Sequence, residues 1–233
     1  MSQTSVAAPL SIEVVSDVVC PWCYIGKRHL EAALALYADA RPGASAPTVA
    51  WKPFQLNPQL PPEGMPRADY VKAKWGGRSS ADVYARVSGV GSAVGIPFAF
   101  DRITRQPNTT AAHSLIALAG AQSEALQGAV KEALLAAYFI DGRDLTDNDT
   151  LVEIVAAAGL DGALARAHLA DPMAQQSIAD ADAEARQLGV QGVPFFIFNR
   201  RYAVSGAEAA ETLLQAMLAS EAPEDAAALP AAQ

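Results

Sequence analysis

Two cysteines separated by a proline and a tryptophan are the residues of this 233-residue sequence whose types and spacing best suit chemistry. Cys20 and Cys23 follow an apolar, β-branched segment and open a helical pattern, with Pro21 suited to its first turn. A helix start directs free N–H groups and the positive end of the helix dipole at Cys20, which favours its thiolate. We therefore expect a pKa for Cys20 below the free value of about 8.5. A thiolate attacks disulfides, so the pair is predicted to be a redox-active dithiol.

Two other interpretations of the cysteine pair are simple packing in the core and half of a metal site. Packing is disfavoured because the first thiol of a pair that opens a helix after a strand must face outward. A zinc site needs about four ligands. The three histidines, His29, His113 and His168, have no paired spacing that would complete such a site. We therefore predict redox chemistry and no bound metal.

A second feature is Val193-Pro194, which follows a glycine-containing loop and precedes the apolar segment 195–198. Proline at the start of a strand must face an edge or a turn, because it cannot donate to a ladder. Only about 5–6% of X–Pro bonds are cis, so a trans bond is the more common alternative. The strand and helix pattern around the cysteines favours a cis bond, which would turn the Val193 backbone outward towards an extended substrate.

The elements that position these residues follow the order β-α-β, then a helical block, then β-β-α. A lone hairpin is marginal in water, so the terminal strands need the first strands as partners. The fold class is therefore α/β, with an all-helical block inserted into one sheet domain. The predicted parts are a discontinuous sheet domain at 11–66 and 189–220, an inserted helical domain at 67–188, and loose termini at 1–10 and 221–233.

Composition excludes several classes of protein. With 51% hydrophobic and 18% charged residues the chain can bury a core, which excludes wholesale disorder. A net charge of −8 argues against a nucleic-acid or anionic-membrane surface. No apolar run reaches the roughly 18 residues of a membrane-spanning helix, and the start of the chain lacks a secretory signal. We therefore predict a cytoplasmic protein.

Four segments carry a resemblance to a known family: 16–29 (SDVVCPWCYIGKRH), 51–58 (WKPFQLNP), 108–116 (NTTAAHSLI) and 188–205 (LGVQGVPFFIFNRRYAVS). Together they resemble the DsbA family of thiol–disulfide oxidoreductases, of the thioredoxin-like superfamily, and within it the FrnE-like subgroup. The resemblance implies a thioredoxin-like fold whose helical insertion caps the dithiol, with Val193-Pro194 as the cis-proline loop.

The resulting prediction is an enzyme of thiol–disulfide exchange, a reductase or isomerase in which Cys20 attacks the substrate and Cys23 resolves the mixed disulfide. The dithiol itself carries the electrons, so no cofactor is bound, and glutathione is a possible co-substrate. The partner is a protein or small molecule that contains a disulfide or a thiol, and the chain is a monomer or homodimer. Besides Cys20 and Cys23, Pro194 is predicted to be catalytic. The residues predicted to contact substrate are Val193, Trp22, Pro21, Phe54 and His113.

Two alternatives from other classes stay open. One is a glutathione-dependent isomerase or transferase, related to 2-hydroxychromene-2-carboxylate isomerase and the kappa-class glutathione transferases. Those relatives keep serine where this sequence has Cys20. The other is a non-catalytic, redox-regulated binding module.

Three side chains near these motifs have two interpretations each. Glu13, seven residues before Cys20, is either a buried acid that moves the proton of the second cysteine or, more commonly, an exposed strand carboxylate. His113 either faces the dithiol or packs between helices. Phe54 belongs to the core or lines a groove, and His29 is interpreted as structural.

Overall fold

The computed structural model describes residues 9–76 and 80–222. Most of the two predicted loose termini, 1–8 and 223–233, lies outside the described residues. The strands are β1 (Ser11–Ser16), β2 (Thr48–Pro53), β3 (Met65–Pro66), β4 (Arg105–Gln106), β5 (Phe195–Phe198) and β6 (Tyr202–Ser205). The α-helices are α1 (Pro21–Ala40), α2 (Arg67–Trp75), α3 (Ser80–Ala93), α4 (Thr110–Gly120), α5 (Glu124–Phe139), α6 (Asn148–Ala157), α7 (Gly162–Leu169), α8 (Pro172–Gln187) and α9 (Ala210–Glu221).

Strands from both ends of the chain form one four-stranded sheet in the order β2-β1-β5-β6. β1 is parallel to β2 and antiparallel to β5, and Val14 pairs with Trp51 on one side and Phe196 on the other. The hairpin between β5 and β6 turns at Asn199 and Arg200, which have φ values of 50° and 56°. Positive φ at both positions is what a two-residue turn requires. The α/β class with a helical insertion is confirmed.

The inserted block, predicted to be all-helical, contains one short strand, β4, which pairs with the strand just before the block. β4 pairs with β3, so that Gln106 lies opposite Met65. The physical reason is Pro107, because a residue that precedes proline is disfavoured in the helical region and takes an extended conformation. The remaining elements between β3 and β5 are helical, apart from loops and a 3-10 turn at Phe100–Arg102. The linker that follows β2 therefore ends in a short strand that is hydrogen-bonded to the inserted block.

Helix α5 of the insertion is fastened to the sheet at β2. The side chain of Gln127 accepts a hydrogen bond from the Trp51 N–H at 2.9 Å and donates one to the Trp51 carbonyl at 3.1 Å. β2 is an edge strand, and such strands carry unpaired backbone groups. The glutamine satisfies both groups of one edge residue, and thereby fixes how α5 lies against the sheet.

Candidate active site

The two cysteines lie at the start of α1, where the sequence predicts them. Cys20 is the N-cap residue with extended backbone, Pro21 occupies the first helical turn, and the Cys23 N–H donates to the Cys20 carbonyl at 3.0 Å. Cys20 is 5% exposed and Cys23 is 1% exposed, and both are free thiols. The first thiol therefore lies at the positive end of the helix, with the second directly behind it.

The Val193-Pro194 loop meets the dithiol, although most of the chain separates them. The Val193-Pro194 peptide bond is cis, as predicted. The Cys20 thiol donates to the Val193 carbonyl oxygen over 3.5 Å. Gly206 N–H donates to the Pro194 carbonyl at 2.9 Å, which ties the loop to the end of β6. Three predicted site residues, Cys20, Val193 and Pro194, are thus brought together.

The protein environment shifts the pKa values of the two thiols in opposite directions. A hydrogen bond from the Cys23 thiol lowers the pKa of Cys20 below its ordinary value, although burial and the charge of Asp17 oppose the shift. Burial raises the pKa of Cys23 well above its ordinary value, and its interaction with Cys20 acts in the same direction. Cys20 is therefore the thiol suited to attack, and Cys23 the one that needs help to ionise.

Asp17 is a buried acid that the sequence analysis missed. Its carboxylate is fully buried, accepts the Leu56 N–H at 2.8 Å and lies 3.2 Å from His113 Nε2. Glu13, by contrast, is partly exposed and pairs with Arg200 at 3.1 Å, so the strand-carboxylate interpretation is the right one for it. Asp17 lies where β1 leaves the sheet towards the cysteines, and that position in the sequence could have indicated it.

The histidines do not contact the sulfurs. His113 is 3% exposed on α4, and its Nε2 faces Asp17 rather than the dithiol. His29 Nδ1 lies 2.7 Å from the Glu208 carbonyl, which joins α1 to the segment before α9 and fits the structural role predicted for it. His113 therefore contacts Asp17, which lies three residues before Cys20 in the sequence.

Among the other predicted contacts, Trp22 and Pro21 are half-buried beside Cys20, and the Arg86 guanidinium of α3 lies 5.9 Å from the centre of the Trp22 ring. Phe54, by contrast, was predicted to line a groove, but the structure places its ring in the core. Its ring is 2% exposed in a small core cluster, where the guanidinium of Arg186 covers it at 4.2 Å. Val15, Ala185 and Val190 are the other buried members of this cluster, so the ring packs inward.

A second missed residue is Lys131 on α5. It is 1% exposed, and its Nζ lies 5.7 Å from the centre of the Trp51 ring. Burial lowers the pKa of Lys131, while the charges of Cys23 and Asp17 act to raise it. The residue lies on the buried face of α5, with Gln127 one turn before it. A lysine on an otherwise buried helix face could have indicated its position from sequence.

Over the described residues, no group of three or more histidine, cysteine, aspartate or glutamate side chains converges as metal ligands would. In the same part of the chain, no helix has both the length and the apolar character needed to cross a bilayer. A cavity of about 660 Å³ lies beside Asn108 and Thr110, and no predicted site residue lines it.

Comparison with known proteins identifies the family and the fold. A family model described as a DSBA-like thioredoxin domain matches residues 11–218. A probable DsbA oxidoreductase from Streptomyces coelicolor is 34% identical, with a TM-score of 0.78 over 91% of this chain and 89% of its own. These two findings confirm the predicted thioredoxin-like fold.

Two further solved structures share the fold at lower identity. The cytosolic disulfide reductase DsbM from Pseudomonas aeruginosa, solved with GSH, is 19% identical, with a TM-score of 0.58 over 84% of this chain and 89% of its own. A 2-hydroxychromene-2-carboxylate isomerase is 16% identical, with a TM-score of 0.64 over 89% of this chain and 94% of its own. Both similarities concern the fold alone.

Proposed function

Because this chain belongs to the DSBA-like thioredoxin domain family, we propose that it is a thiol–disulfide oxidoreductase that reduces or isomerises disulfides of proteins or small molecules. The observation that carries the proposal is the position of the Cys20 thiol. It lies at the N-terminus of α1, 3.5 Å from the Val193 carbonyl, with a lowered pKa. A thiolate that faces a substrate-binding backbone is what disulfide exchange requires.

The reaction proceeds in two exchanges. The Cys20 thiolate attacks one sulfur of the substrate disulfide, the substrate S–S bond breaks, and the other substrate sulfur leaves as a thiolate. Cys23 then ionises and attacks the Cys20 sulfur, which forms the Cys20–Cys23 disulfide and releases the second substrate thiolate. Two electrons pass from the protein dithiol to the substrate, and solvent protonates both leaving sulfurs.

The substrate chain binds beside Val193. β-strand addition to an exposed backbone edge gives affinity through main-chain hydrogen bonds, without demanding a particular sequence. Trp22 and Pro21 are half-buried beside Cys20 and supply apolar contact on the other side. We expect substrates with an extended, accessible cysteine-containing segment.

A small thiol regenerates the dithiol, and glutathione is the proposed co-substrate. The support is the DsbM structure with GSH, which shares the fold. Attack of a glutathione thiolate on the Cys20–Cys23 disulfide, followed by a second glutathione, would return both thiols and release glutathione disulfide. The alternative of a glutathione-dependent isomerase is supported only by fold similarity, and the free Cys23 thiol behind Cys20 favours exchange over it.

Trapping of the mixed disulfide tests the proposal. In Cys23→Ser the resolving thiol is absent, so a disulfide-bonded substrate peptide, such as reduced and reoxidised insulin B-chain, is expected to accumulate covalently on Cys20. Cys20→Ser is the matched control and is expected to trap nothing. The wild type is expected to reduce insulin disulfides with glutathione as reductant. Equal trapping by the two variants, or a wild type without reductase activity, would overturn the proposal.

A further inference from the structure

Arg86 of α3 places an exposed positive charge beside the dithiol. Its guanidinium carbon lies 5.9 Å from the centre of the Trp22 ring, and Trp22 is one of the two residues between Cys20 and Cys23. The Trp22 ring is half-buried and packs against the main core, which fixes its position relative to the thiols. Because an aromatic face attracts a cation, the ring holds the guanidinium of Arg86 at a defined place next to the cysteines.

Four aromatic rings hold α3 against the first turns of α1. Tyr24 of α1 contacts Phe98 edge-on, with 6.1 Å between the ring centres. Phe98 stacks on Phe100 at 5.0 Å, and Phe100 stacks on Tyr84 of α3 at 4.0 Å. Tyr84 lies two residues before Arg86 in the same helix. The position of Arg86 is therefore set by packing between the inserted block and the helix that carries the dithiol.

The guanidinium of Arg86 can bind an anion while it stays beside the Trp22 ring. An aromatic ring attracts the charge of a guanidinium but does not accept its N–H groups as an oxygen does. Those N–H groups form a planar fork that matches the two oxygens of a carboxylate. A substrate that brings a carboxylate next to Trp22 therefore gains two charge-assisted hydrogen bonds from Arg86.

The part of the chain around Arg86 is basic, although the protein as a whole is acidic. Seven basic and three acidic residues give segment 67–105 a net charge of +4, whereas the whole chain carries −8. Helices α2 and α3 both belong to this segment, and Trp75 of α2 contacts Tyr84 of α3 edge-on at 5.7 Å. A local positive charge on an acidic protein attracts anions to this side of the dithiol.

We propose that Arg86 is a specificity-determining residue that selects disulfides with a carboxylate close to the reacting sulfur. The inference rests on the proposed function and names its substrate class. An extended substrate advances about 3.3 Å per residue, and Trp22 lies two residues after Cys20, so the carboxylate is expected within about three residues of the substrate cysteine. Two sources offer such a group: an acidic side chain of a protein substrate, and the carboxylates of glutathione.

Exchange rate constants of the reduced protein with disulfides of different charge test the proposal. The small disulfides are glutathione disulfide, uncharged 2-hydroxyethyl disulfide and cationic cystamine. Two disulfide-linked peptides, with Glu or Gln two residues from the cysteine, represent protein substrates. For Arg86→Gln we expect a loss of about fivefold for the carboxylate-bearing disulfides and no change for 2-hydroxyethyl disulfide. Arg86→Glu is expected to favour cystamine. A loss confined to the Glu peptide places the selected carboxylate on proteins, and one confined to glutathione disulfide places it on glutathione.

Lys72→Gln is the matched control, because Lys72 is an exposed cation of α2 within the same basic segment. It is expected to keep the wild-type ratio of the rate constants for glutathione disulfide and 2-hydroxyethyl disulfide. An equal fall of this ratio in Lys72→Gln would assign the preference to the general charge of the segment and overturn the role of Arg86. Unchanged rate constants in Arg86→Gln, or equal slowing with every disulfide, would overturn it too. A wild type that exchanges with none of the disulfides would instead overturn the proposed function.

Discussion

Gly26 of α1 lies directly against the ring of Pro194. A Cβ atom at Gly26 would lie 2.9 Å from Pro194 Cγ and 3.2 Å from Phe196 Cζ. Gly26 lies within α1, so the requirement is for space rather than for an unusual backbone angle. The absence of a side chain at this position lets the helix that carries the dithiol approach the loop that carries Val193. The separation of 3.5 Å between Cys20 and Val193 depends on this approach.

Gly26→Ala is expected to weaken both the fold and the exchange reaction. The added methyl group must displace the Pro194 ring, and overpacking of this kind costs about 1–3 kcal/mol of the free energy of unfolding. Moving the loop away from Cys20 is expected to slow reduction of a disulfide substrate severalfold. Urea unfolding and insulin reduction measure the two effects.

Gly128→Ala is the matched control, because no atom lies within 4 Å of a Cβ at that position of α5. Alanine is the better helix former, so this variant is expected to gain up to about 1 kcal/mol without a change in exchange rate. If Gly26→Ala exchanged disulfides at the wild-type rate, the close approach of α1 and the loop would not matter for the reaction.

The two thiols are expected to react with alkylating reagents in a fixed order. Hydrogen bonding from Cys23 lowers the pKa of Cys20, and burial raises that of Cys23, so Cys20 carries a thiolate at lower pH. In the reduced protein, iodoacetamide is expected to modify Cys20 first as the pH is raised, with mass mapping as the measurement. Preferential modification of Cys23 would reverse the roles of nucleophile and resolving thiol.

The features that could be predicted from the sequence are those determined by neighbouring residues in the chain. The spacing of Cys20 and Cys23 with Pro21 between them indicated a dithiol at a helix start, and the structure has α1 beginning at Pro21. The dipeptide Asn199-Arg200 begins with an asparagine, which tolerates positive φ in a tight turn, and both residues have positive φ. These features depend on residues that are close together in the sequence, so they can be predicted without knowledge of the fold.

The residues that the sequence analysis missed or misplaced are decided by packing between distant segments. Asp17 is buried because α4 brings His113 against it, and Lys131 lies over the Trp51 ring because α5 is fastened to β2. Phe54 is in the core because Arg186 of α8 covers it. The sequence could have indicated that Asp17 and Lys131 are buried, but not what they contact, since each contact joins elements whose relative positions only the fold defines.

Asp17→Asn is expected to lower the pKa of Cys20 further. The negative charge of Asp17 raises the pKa of that thiol, so a neutral residue of the same shape removes an opposing effect. The loss of a charge-assisted acceptor for the buried Leu56 N–H is expected to cost about 1–3 kcal/mol of stability. Cys20 alkylation against pH and urea unfolding are the measurements.

Glu13→Gln serves as the control for Asp17→Asn, since Glu13 is a partly exposed carboxylate of β1 that pairs with Arg200. It is expected to leave the alkylation profile of Cys20 unchanged. A Cys20 in Asp17→Asn that ionised at the wild-type pH, or above it, would show that Asp17 does not act on the nucleophile.

Glu132 joins α5 to α1 through a cluster of hydrogen bonds and ion pairs. It lies 2.7 Å from Lys27 Nζ, accepts from Arg28 Nη1 at 3.0 Å, and accepts from the Tyr24 hydroxyl at 2.7 Å. Burial alone would raise its pKa, but these donors outweigh that effect and lower the pKa of Glu132 to about 2. The cluster holds the inserted block against the helix that carries the dithiol.

The stability of the wild type is expected to depend on Glu132 at acid pH. Because the folded-state pKa is lowered from 4.5 to about 2, the carboxylate contributes its full stability above about pH 4.5 and loses it as the pH falls towards 2. Glu132→Gln lacks this contribution and is expected to be about 1–2 kcal/mol less stable at neutral pH, a figure reduced for the partial exposure of the side chain. The difference in free energy of unfolding between the two proteins is expected to shrink between pH 4.5 and 2, as measured by urea unfolding at a series of pH values.

Glu153→Gln is the control, because it removes an exposed partner of Arg143. Its free energy of unfolding is expected to match that of the wild type at every pH. Parallel stability curves for the wild type and Glu132→Gln would mean that the cluster does not couple α5 to α1.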